Sequence, residues 1–176
     1  MERKKGMTLP LITLDLWVTI LLDTVLWFIF HMGFAKLAIL IPDRFFEKPI
    51  PNDVKETPFK TFFLEKIVMV PKWKKYSPDG GAHFKDGFSK RYLKEKNLAY
   101  YEKFLIETRR AELTHYLQML PAPIFFLFNP IWVGWLMIGY AVLFNLPFIW
   151  IQKYNQPRMI KLMIKTKARL NNAEVK

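Results

Sequence analysis

The sequence contains no cysteine among its 176 residues. This absence excludes a disulfide scaffold, thiolate metal ligands and a cysteine nucleophile. The chain also lacks the short motifs of an RNA-recognition domain, a zinc finger or a P-loop, and it shows neither an internal repeat nor a low-complexity segment. Lysine and arginine outnumber acidic residues by 27 to 15. Without a nucleic-acid motif, this surplus favours anionic phospholipid headgroups over nucleic acid as a partner.

Hydrophobic residues make up 52% of the chain, and the charges are confined to blocks between apolar stretches. This pattern predicts an all-α integral membrane protein that forms one domain over residues 1–176. About three apolar helical segments are expected, one N-terminal and two in a C-terminal hairpin. They surround a basic helical middle region at the membrane interface. The predicted segments are an apolar stretch at 9–41, a polar middle at 43–104, a helix entering the membrane at 89–128, a span at 131–151 and a basic tail at 152–176.

The order of these segments predicts the topology. Ser89 is a plausible N-cap for the helix that enters the membrane, and Asn129-Pro130 is a turn that makes a hairpin of the last two apolar segments. Both ends of a hairpin lie on one side, so the middle region and the tail share a compartment. Their many Lys and Arg residues place that side in the cytoplasm. The basic start, MERKKGM, conflicts with an external N-terminus, and a first segment that re-enters without crossing would remove the conflict.

A polar stripe is expected on one face of the helix that contains IETRRAELTHYLQML. At about 100° per residue, its members share an arc about 140° wide: Glu107, Arg110, Thr114, His115 and Gln118. A histidine oriented by a carboxylate is a common general base, and here Glu112 or Glu107 would orient His115. Arg110 would hold that carboxylate or bind a carbonyl oxygen. The alternative is an ion-paired helix entry at headgroup level.

Other polar residues interrupt the apolar segments. Asp15, Asp23 and His31 lie in the first segment and are expected to face the protein interior. Asn145, next to Pro147, either bonds a freed carbonyl or lines a substrate cavity. The run QKYNQPR supplies candidate headgroup- or sugar-binding residues, or an interfacial belt: Gln152, Tyr154, Asn155 and Arg158. Glu112 and His115 also have the E-x-x-H spacing of carboxylate-bridged metal proteins, which need two such motifs, and here there is one.

Four runs together resemble the glycosyl-4,4'-diaponeurosporenoate acyltransferase family of carotenoid biosynthesis: PKWKKYSPDGG, GFSKRYL, FLIETRRAELTHYL and NLPFIWIQKYNQPR. The resemblance covers about residues 41–161, in order and with similar spacings. The family pattern falls on Glu107, Thr108, Arg110, Ala111, Glu112, His115, Asn145, Pro147, Gln152, Tyr154, Asn155, Pro157 and Arg158. Lys153 and Gln156 stand where family members often have arginine, and Tyr116 where tryptophan is common.

The resemblance implies a membrane acyltransferase in a staphyloxanthin-type pathway. A fatty acyl group would move from a thioester, acyl-CoA or acyl-carrier protein, to the C6 hydroxyl of a glucose on a C30 carotenoid. The catalytic set expected is His115, Glu112, Glu107 and Arg110. The substrate-binding set is Thr108, Asn145, Gln152, Tyr154, Asn155 and Arg158, and no metal or cofactor is expected. Two alternatives stay open: a non-catalytic membrane scaffold that binds lipid, and a metal-dependent lipid-modifying enzyme that uses Glu107, Glu112 and His115.

Overall fold

The computed structural model describes residues 9–49, 51, 54, 57–78, 88–90 and 93–174. Within these ranges the chain is helical and has no strand, which confirms the all-helical class. The α-helices are α1 (Leu16–Leu40), α2 (Pro58–Phe62), α3 (Val70–Trp73), α4 (Leu98–Met119) and α5 (Ile131–Glu174). Shorter helical turns cover Asp43–Phe45, Phe63–Ile67, Lys74–Tyr76 and Ala122–Leu127. The basic start that bears on the topology lies outside the described residues.

The helix predicted over residues 89–128 is shorter than expected at both ends. It begins at Leu98 rather than after Ser89. The reason is Asn97, whose side-chain Oδ1 accepts the backbone N–H of Tyr100 at 2.8 Å and so caps the first turn. It ends at Met119, because Pro121 and Pro123 have no backbone N–H to continue an α-helix. The next residues, Ala122–Leu127, form a 3-10 helix instead.

The predicted third span and basic tail are one helix. α5 runs without interruption from Ile131 to Glu174, so residue 151 is not a helix boundary. Asn129-Pro130 precedes α5, as the hairpin prediction requires, and the N–H of Gly134 donates to the Pro130 carbonyl at 3.0 Å. Pro147 and Pro157 both lie inside the helix.

Contacts group the chain into two compact units, and the expectation of a single domain stays a prediction. The first unit comprises Met1–Leu37 and Thr114–Pro147, and the second comprises Ala38–Leu113 and Phe148–Lys176.

Three chain segments lie side by side in the first unit. Gln118 bonds the carbonyl of His31, Asn129 bonds Asp23, and the N–H of Leu11 donates to the Leu127 carbonyl. The segment from 118 to 129 therefore runs antiparallel to α1. The start of α5 returns along α1, since the Trp27 indole N–H donates to Met137 Sδ at 3.2 Å. The second predicted apolar segment consists of the end of α4 and a 3-10 helix, and the count of three apolar segments stays a prediction.

Aromatic stacking holds these segments together. Trp27 of α1 stacks on the fully buried Phe125 at 4.8 Å between ring centroids. The surrounding core contains Ala122, Phe128 and Ala141. Such pairs add to the free energy gained by burying apolar area, because the rings prefer offset and edge contacts.

Much of the apolar surface of α1 and of early α5 faces outward. Two helices of the described residues are long and apolar enough to cross a membrane, Leu16–Leu40 and Ile131–Ala173. The side chains in these windows are mostly not buried, unlike those of the core helix of a soluble protein. Exposed apolar side chains on α1 and α5 include Leu16, Trp17, Leu21, Phe28, Trp132, Trp135 and Leu143. A surface of this kind is compatible with membrane association.

The second unit has its own two clusters. Early α4 contributes Tyr100, Tyr101 and Phe104, which pack with Met159 and Met163 of α5. A second cluster joins the turns of the middle region to α5 and consists of Leu64, Val70 and Tyr154, with Phe63, Trp73 and Trp150 against it. The polar middle of the sequence therefore folds onto the basic half of α5.

Two glycines of α5 should respond in opposite ways to substitution by alanine. A Cβ at Gly134 would lie 2.3 Å from the Phe126 ring, whereas a Cβ at Gly139 meets nothing within 4 Å. Gly139→Ala should raise the stability by up to about 1 kcal/mol through helix propensity. The Gly134→Ala protein should be about 1–3 kcal/mol less stable than the Gly139→Ala protein, because the Phe126 ring must move. Thermal unfolding in detergent measures both, and equal stabilities would contradict the close approach.

Candidate functional site

The predicted site residues fall into two groups. His115 and Asn145 belong to the first unit. The others belong to the second unit: Glu107, Thr108, Arg110, Glu112, Gln152, Tyr154, Asn155 and Arg158.

His115 is hydrogen-bonded to Asn145. The His115 ring nitrogen Nδ1 lies 3.0 Å from Asn145 Oδ1. Asn145 is fully buried on α5, and its Nδ2 donates to the carbonyl of Ala141, one turn earlier, at 2.9 Å. The carbonyl that Asn145 bonds is not the one freed by Pro147, which belongs to Leu143, and a role of Asn145 in lining a substrate cavity stays a prediction.

These two bonds favour one position for the proton on the neutral His115 ring. The Ala141 carbonyl can only accept, so the amide NH₂ must face it, and Oδ1 must face the histidine. An amide oxygen can only accept, so Nδ1 must be the donor. In the neutral imidazole, Nε2 then holds the lone pair. The arrangement presents Nε2 as the nitrogen that can take a proton.

Arg110 is a buried anchor of the second unit. Its side chain is 7% exposed, and its Nη1 donates to the backbone carbonyls of Ala38, at 2.6 Å, and Ile41. The Nη2 pairs with Asp43, and Nε lies 3.3 Å from Glu107. The guanidinium thus satisfies carbonyls at the end of α1 and offsets the partial negative charge there. These contacts are those of the ion-paired structural alternative, and a role for Arg110 in catalysis stays a prediction.

Asp43, Lys103 and Glu107 extend the same network. Lys103 Nζ lies 2.8 Å from Asp43 and 3.0 Å from Glu107. The hydrogen bond from Lys103 is the largest cause that holds the pKa of Asp43 below its ordinary value, and the charge of Arg110 acts in the same direction. Burial lowers the pKa of Lys103, but the bonds to Asp43 and Glu107 outweigh it and raise the pKa overall.

Glu112 contacts the two residues that stand where the acyltransferase family often has arginine. Lys153 Nζ lies 2.7 Å from one carboxylate oxygen, and Gln156 Nε2 donates to the other at 2.5 Å. The two residues that replace arginine therefore contact the same carboxylate. Lys153 supplies it with a positive charge, and Gln156 supplies it with a hydrogen-bond donor. The orienting roles of Glu112 and Glu107 toward His115 stay predictions.

A cationic cluster surrounds Tyr154. Arg158 lies 3.4 Å from the centroid of its ring and Lys74 Nζ lies 4.6 Å from it, which is cation–π geometry. Lys74 also donates to Asn155 Oδ1 at 3.2 Å, and Arg158 pairs with Glu65 at 2.5 Å. Burial, and then the charge of Arg158, lower the pKa of Lys74. Two cations and one carboxylate share this cluster.

Two further predicted residues are buried in the second unit. Thr108 Oγ1 donates to the Phe104 carbonyl of its own helix at 2.7 Å. Gln152 Oε1 has no hydrogen-bond partner among the residues that the structure describes. Of this pair, Gln152 is the better candidate for a ligand contact, because a buried acceptor without a partner is costly.

No group of three or more His, Asp or Glu side chains that could hold a metal ion occurs within the described ranges. Glu107 and Glu112 are each paired with cations. The geometry therefore offers the metal-dependent alternative no ligand set among these residues.

Sequence reasoning missed several partners. Asp43, Glu65 and Lys74 all contact predicted site residues over more than 60 positions of sequence. Helical periodicity relates only residues within a few turns, so it gives no signal for such contacts.

Comparison with known proteins gives one consistent result. The sequence model of the glycosyl-4,4'-diaponeurosporenoate acyltransferases matches residues 42–165. Proteins of that name from Staphylococcus aureus strains MRSA252 and bovine RF122 / ET3-1 are each 35% identical over 144 residues, covering 78% of this chain and 83% of theirs. No solved structure matches the chain.

Removing the Arg110 guanidinium should destabilise the protein. In Arg110→Met the carbonyls of Ala38 and Ile41 lose their donor, at about 1–3 kcal/mol for each buried group left unpaired. The stability of Arg110→Lys should lie between those of the wild-type protein and Arg110→Met, since one ammonium group cannot reach all the acceptors. Unfolding in detergent measures the loss, and the exposed Arg169→Met is the matched control. An Arg110→Met protein of unchanged stability that has lost acyl transfer would make Arg110 a substrate-binding residue instead.

The Asp43 network should also set a pH dependence of stability. Because the pKa of Asp43 is lowered in the fold, its contribution is present above its ordinary value of 3.8 and is lost as the pH falls through the folded pKa. The raised pKa of Lys103 gives a contribution present below 10.5 and lost as the pH rises beyond it. Both side chains are 41% exposed, so we expect about 1 kcal/mol or less. In Asp43→Asn, the free energy of unfolding should fall less steeply as the pH is lowered. An unchanged pH dependence would contradict the pairing of Asp43 with Lys103 and Arg110.

Proposed function

This chain belongs to the glycosyl-4,4'-diaponeurosporenoate acyltransferase family, and we propose that it transfers a fatty acyl group to a sugar hydroxyl of a glycosylated C30 carotenoid or a related glycolipid. Membership of the family confirms the expected acyltransferase class. The acceptor is proposed from the name that the relatives carry, and a thioester donor is proposed because a thioester is an activated acyl group.

The proposed step requires one group that takes and returns a proton. His115 Nε2 removes the proton of the sugar hydroxyl while its oxygen attacks the acyl carbonyl carbon. The carbon–sulfur bond of the thioester then breaks, and the proton passes from His115 to the leaving thiolate. The products are an ester and a free thiol. No metal or redox cofactor is needed to balance this step.

The His115–Asn145 pair carries the proposal. Asn145 accepts from Nδ1 and so keeps the lone pair on Nε2, which is the role that an orienting carboxylate plays in other base catalysts. An amide partner orients the ring without adding a negative charge to a largely apolar unit. Asn145, predicted as substrate-binding, is therefore proposed as the positioning residue of the base.

We assign the cationic cluster around Tyr154 to the acyl donor. Acyl-CoA and acyl-carrier protein both present the thioester on a phosphopantetheine arm, whose phosphate is anionic. Lys74 and Arg158 bring two positive charges against the single charge of Glu65, and Arg binds phosphate well. Asn155 adds an amide group that already contacts Lys74.

The proposed location is the cell membrane, with several crossings. The exposed apolar faces of α1 and α5 support insertion, and the positive-inside bias of the middle region and tail favours a cytoplasmic position for both. A cytosolic thioester donor fits that orientation. Anionic headgroups are the expected partners of the remaining lysines.

A bacterial host that makes the glycosylated C30 carotenoid tests the proposal. Mass spectrometry of its lipids should show a fatty-acylated glycoside only when the wild-type chain is expressed. His115→Gln should reduce its formation by about 10²- to 10⁴-fold, the usual contribution of a general base.

The matched control is the same substitution at another histidine, His83→Gln, which should leave product formation unchanged. Immunoblots of the membrane fraction should show equal amounts of all three proteins. Wild-type product levels in His115→Gln would remove the base assignment. No acylated product with wild-type protein in the membrane would contradict the proposed acceptor.

A further inference from the structure

A histidine and a glutamine of the first unit form a second polar pair. His31 of α1 places its Nδ1 2.8 Å from the carbonyl of Trp27, one turn earlier. Gln118 of α4 donates its Nε2 to the carbonyl of His31 at 2.9 Å. Gln118 is 5% exposed. Neither side chain has a role in the acyl-transfer step proposed above.

The geometry defines what the other end of each side chain can do. Backbone carbonyls only accept, so Nδ1 of His31 and the NH₂ of Gln118 must be the donors in these bonds. In the neutral imidazole, His31 Nε2 is then an acceptor, and Gln118 Oε1 is an acceptor in any case. The two carbonyls that these side chains bond, those of Trp27 and His31, lie about one helical turn apart along α1.

Both acceptors are buried without a partner among the residues that the structure describes. Most buried polar atoms in proteins are hydrogen-bonded, and leaving one unpaired is costly. Both atoms lack a donor, so the missing partner is a hydrogen-bond donor. An anion cannot supply this, whereas a hydroxyl group can.

The surroundings of the pair suit a sugar. The His31 ring contacts Trp27 at 5.3 Å and Phe144 at 5.1 Å between centroids, and Phe144 stacks on Tyr140. Aromatic rings next to acceptors match the alternating C–H and O–H groups of a pyranose. Phe144 is the chain neighbour of Asn145, and Gln118 lies one turn from His115 on α4. The pair is thus next to the proposed base.

We propose that His31 Nε2 and Gln118 Oε1 bind hydroxyl hydrogens of the acceptor's sugar and so hold it for transfer at His115. This assignment rests on the proposed function and adds the residues that recognise the sugar. The competing occupant is an ordered water molecule, which would satisfy the same acceptors without selecting any substrate.

Steady-state kinetics and binding in nanodiscs distinguish the two. His31→Phe and Gln118→Met keep the approximate shape of each side chain and remove both its acceptor and its donor to a backbone carbonyl, so binding of a ligand without a sugar is measured alongside. Each should raise the KM for the glucosyl ester of a C30 carotenoid acid by about three- to tenfold, the usual effect of losing one neutral hydrogen bond. The KM for the acyl donor should not change. Affinity for the free carotenoid acid, which has no sugar, should also stay the same, after subtraction of binding to empty nanodiscs.

Thr24→Val is the matched control. It removes a polar group of α1 whose hydroxyl already bonds the Ile20 carbonyl at 2.8 Å, and it should leave all three quantities unchanged. A purely structural role of His31 or Gln118 would weaken binding of the glucoside and of the free acid together.

The outcomes separate this inference from the proposed function. Wild-type transfer with unchanged glucoside KM in both variants would overturn the sugar contact in favour of buried water and leave the acyltransferase proposal intact. Equal losses for glucoside and free acid would overturn it in favour of a structural role. If the wild-type protein neither binds nor acylates the glucoside, the proposed acceptor fails and this site fails with it.

Discussion

A buried guanidinium must find acceptors for all of its donors, and Arg110 meets this requirement in a way that organises the second unit. It joins carbonyls at the end of α1 to Asp43 and to Glu107 of its own helix, and Lys103 completes the charge balance. Desolvating a cation is expensive, so the surrounding backbone must stay where its oxygens can reach it. The charged stripe of α4 is therefore partly a structural network, which explains why so many charges occur just before an apolar stretch.

The base proposed for acyl transfer has a different kind of environment. His115 is oriented by a neutral amide, Asn145, which in turn is fixed by a helix carbonyl. A carboxylate partner would bring a charge into a unit whose surface and core are largely apolar, at a high desolvation cost. The amide gives the same tautomer without that cost. Burying a polar group costs free energy, and the two units offset this cost differently. In the second unit, Arg110 is paired with carboxylates, whereas in the first unit a neutral amide orients His115.

The sequence predicted what depends on local pattern. Helical spacing placed Glu107, Arg110 and His115 on α4, and the Asn129-Pro130 turn separates the two apolar segments as expected. It did not predict that Asn145 would orient His115, because 30 residues separate them and periodicity carries no information over that distance. Helix ends were missed where a single side chain decides them, as Asn97 does at the start of α4. The family resemblance supplied the acyltransferase class, which no local pattern could give.

The most direct test of this account is the position of the proton on the His115 ring. Nitrogen-15 NMR of histidine-labelled protein in nanodiscs reports it, and the chain has only three histidines to assign. At a pH where the ring is neutral, the account predicts a proton on Nδ1 in the wild-type protein and loss of this preference in Asn145→Leu. A neutral wild-type ring with its proton on Nε2 would contradict the account, since Nε2 could not then accept the proton of a sugar hydroxyl.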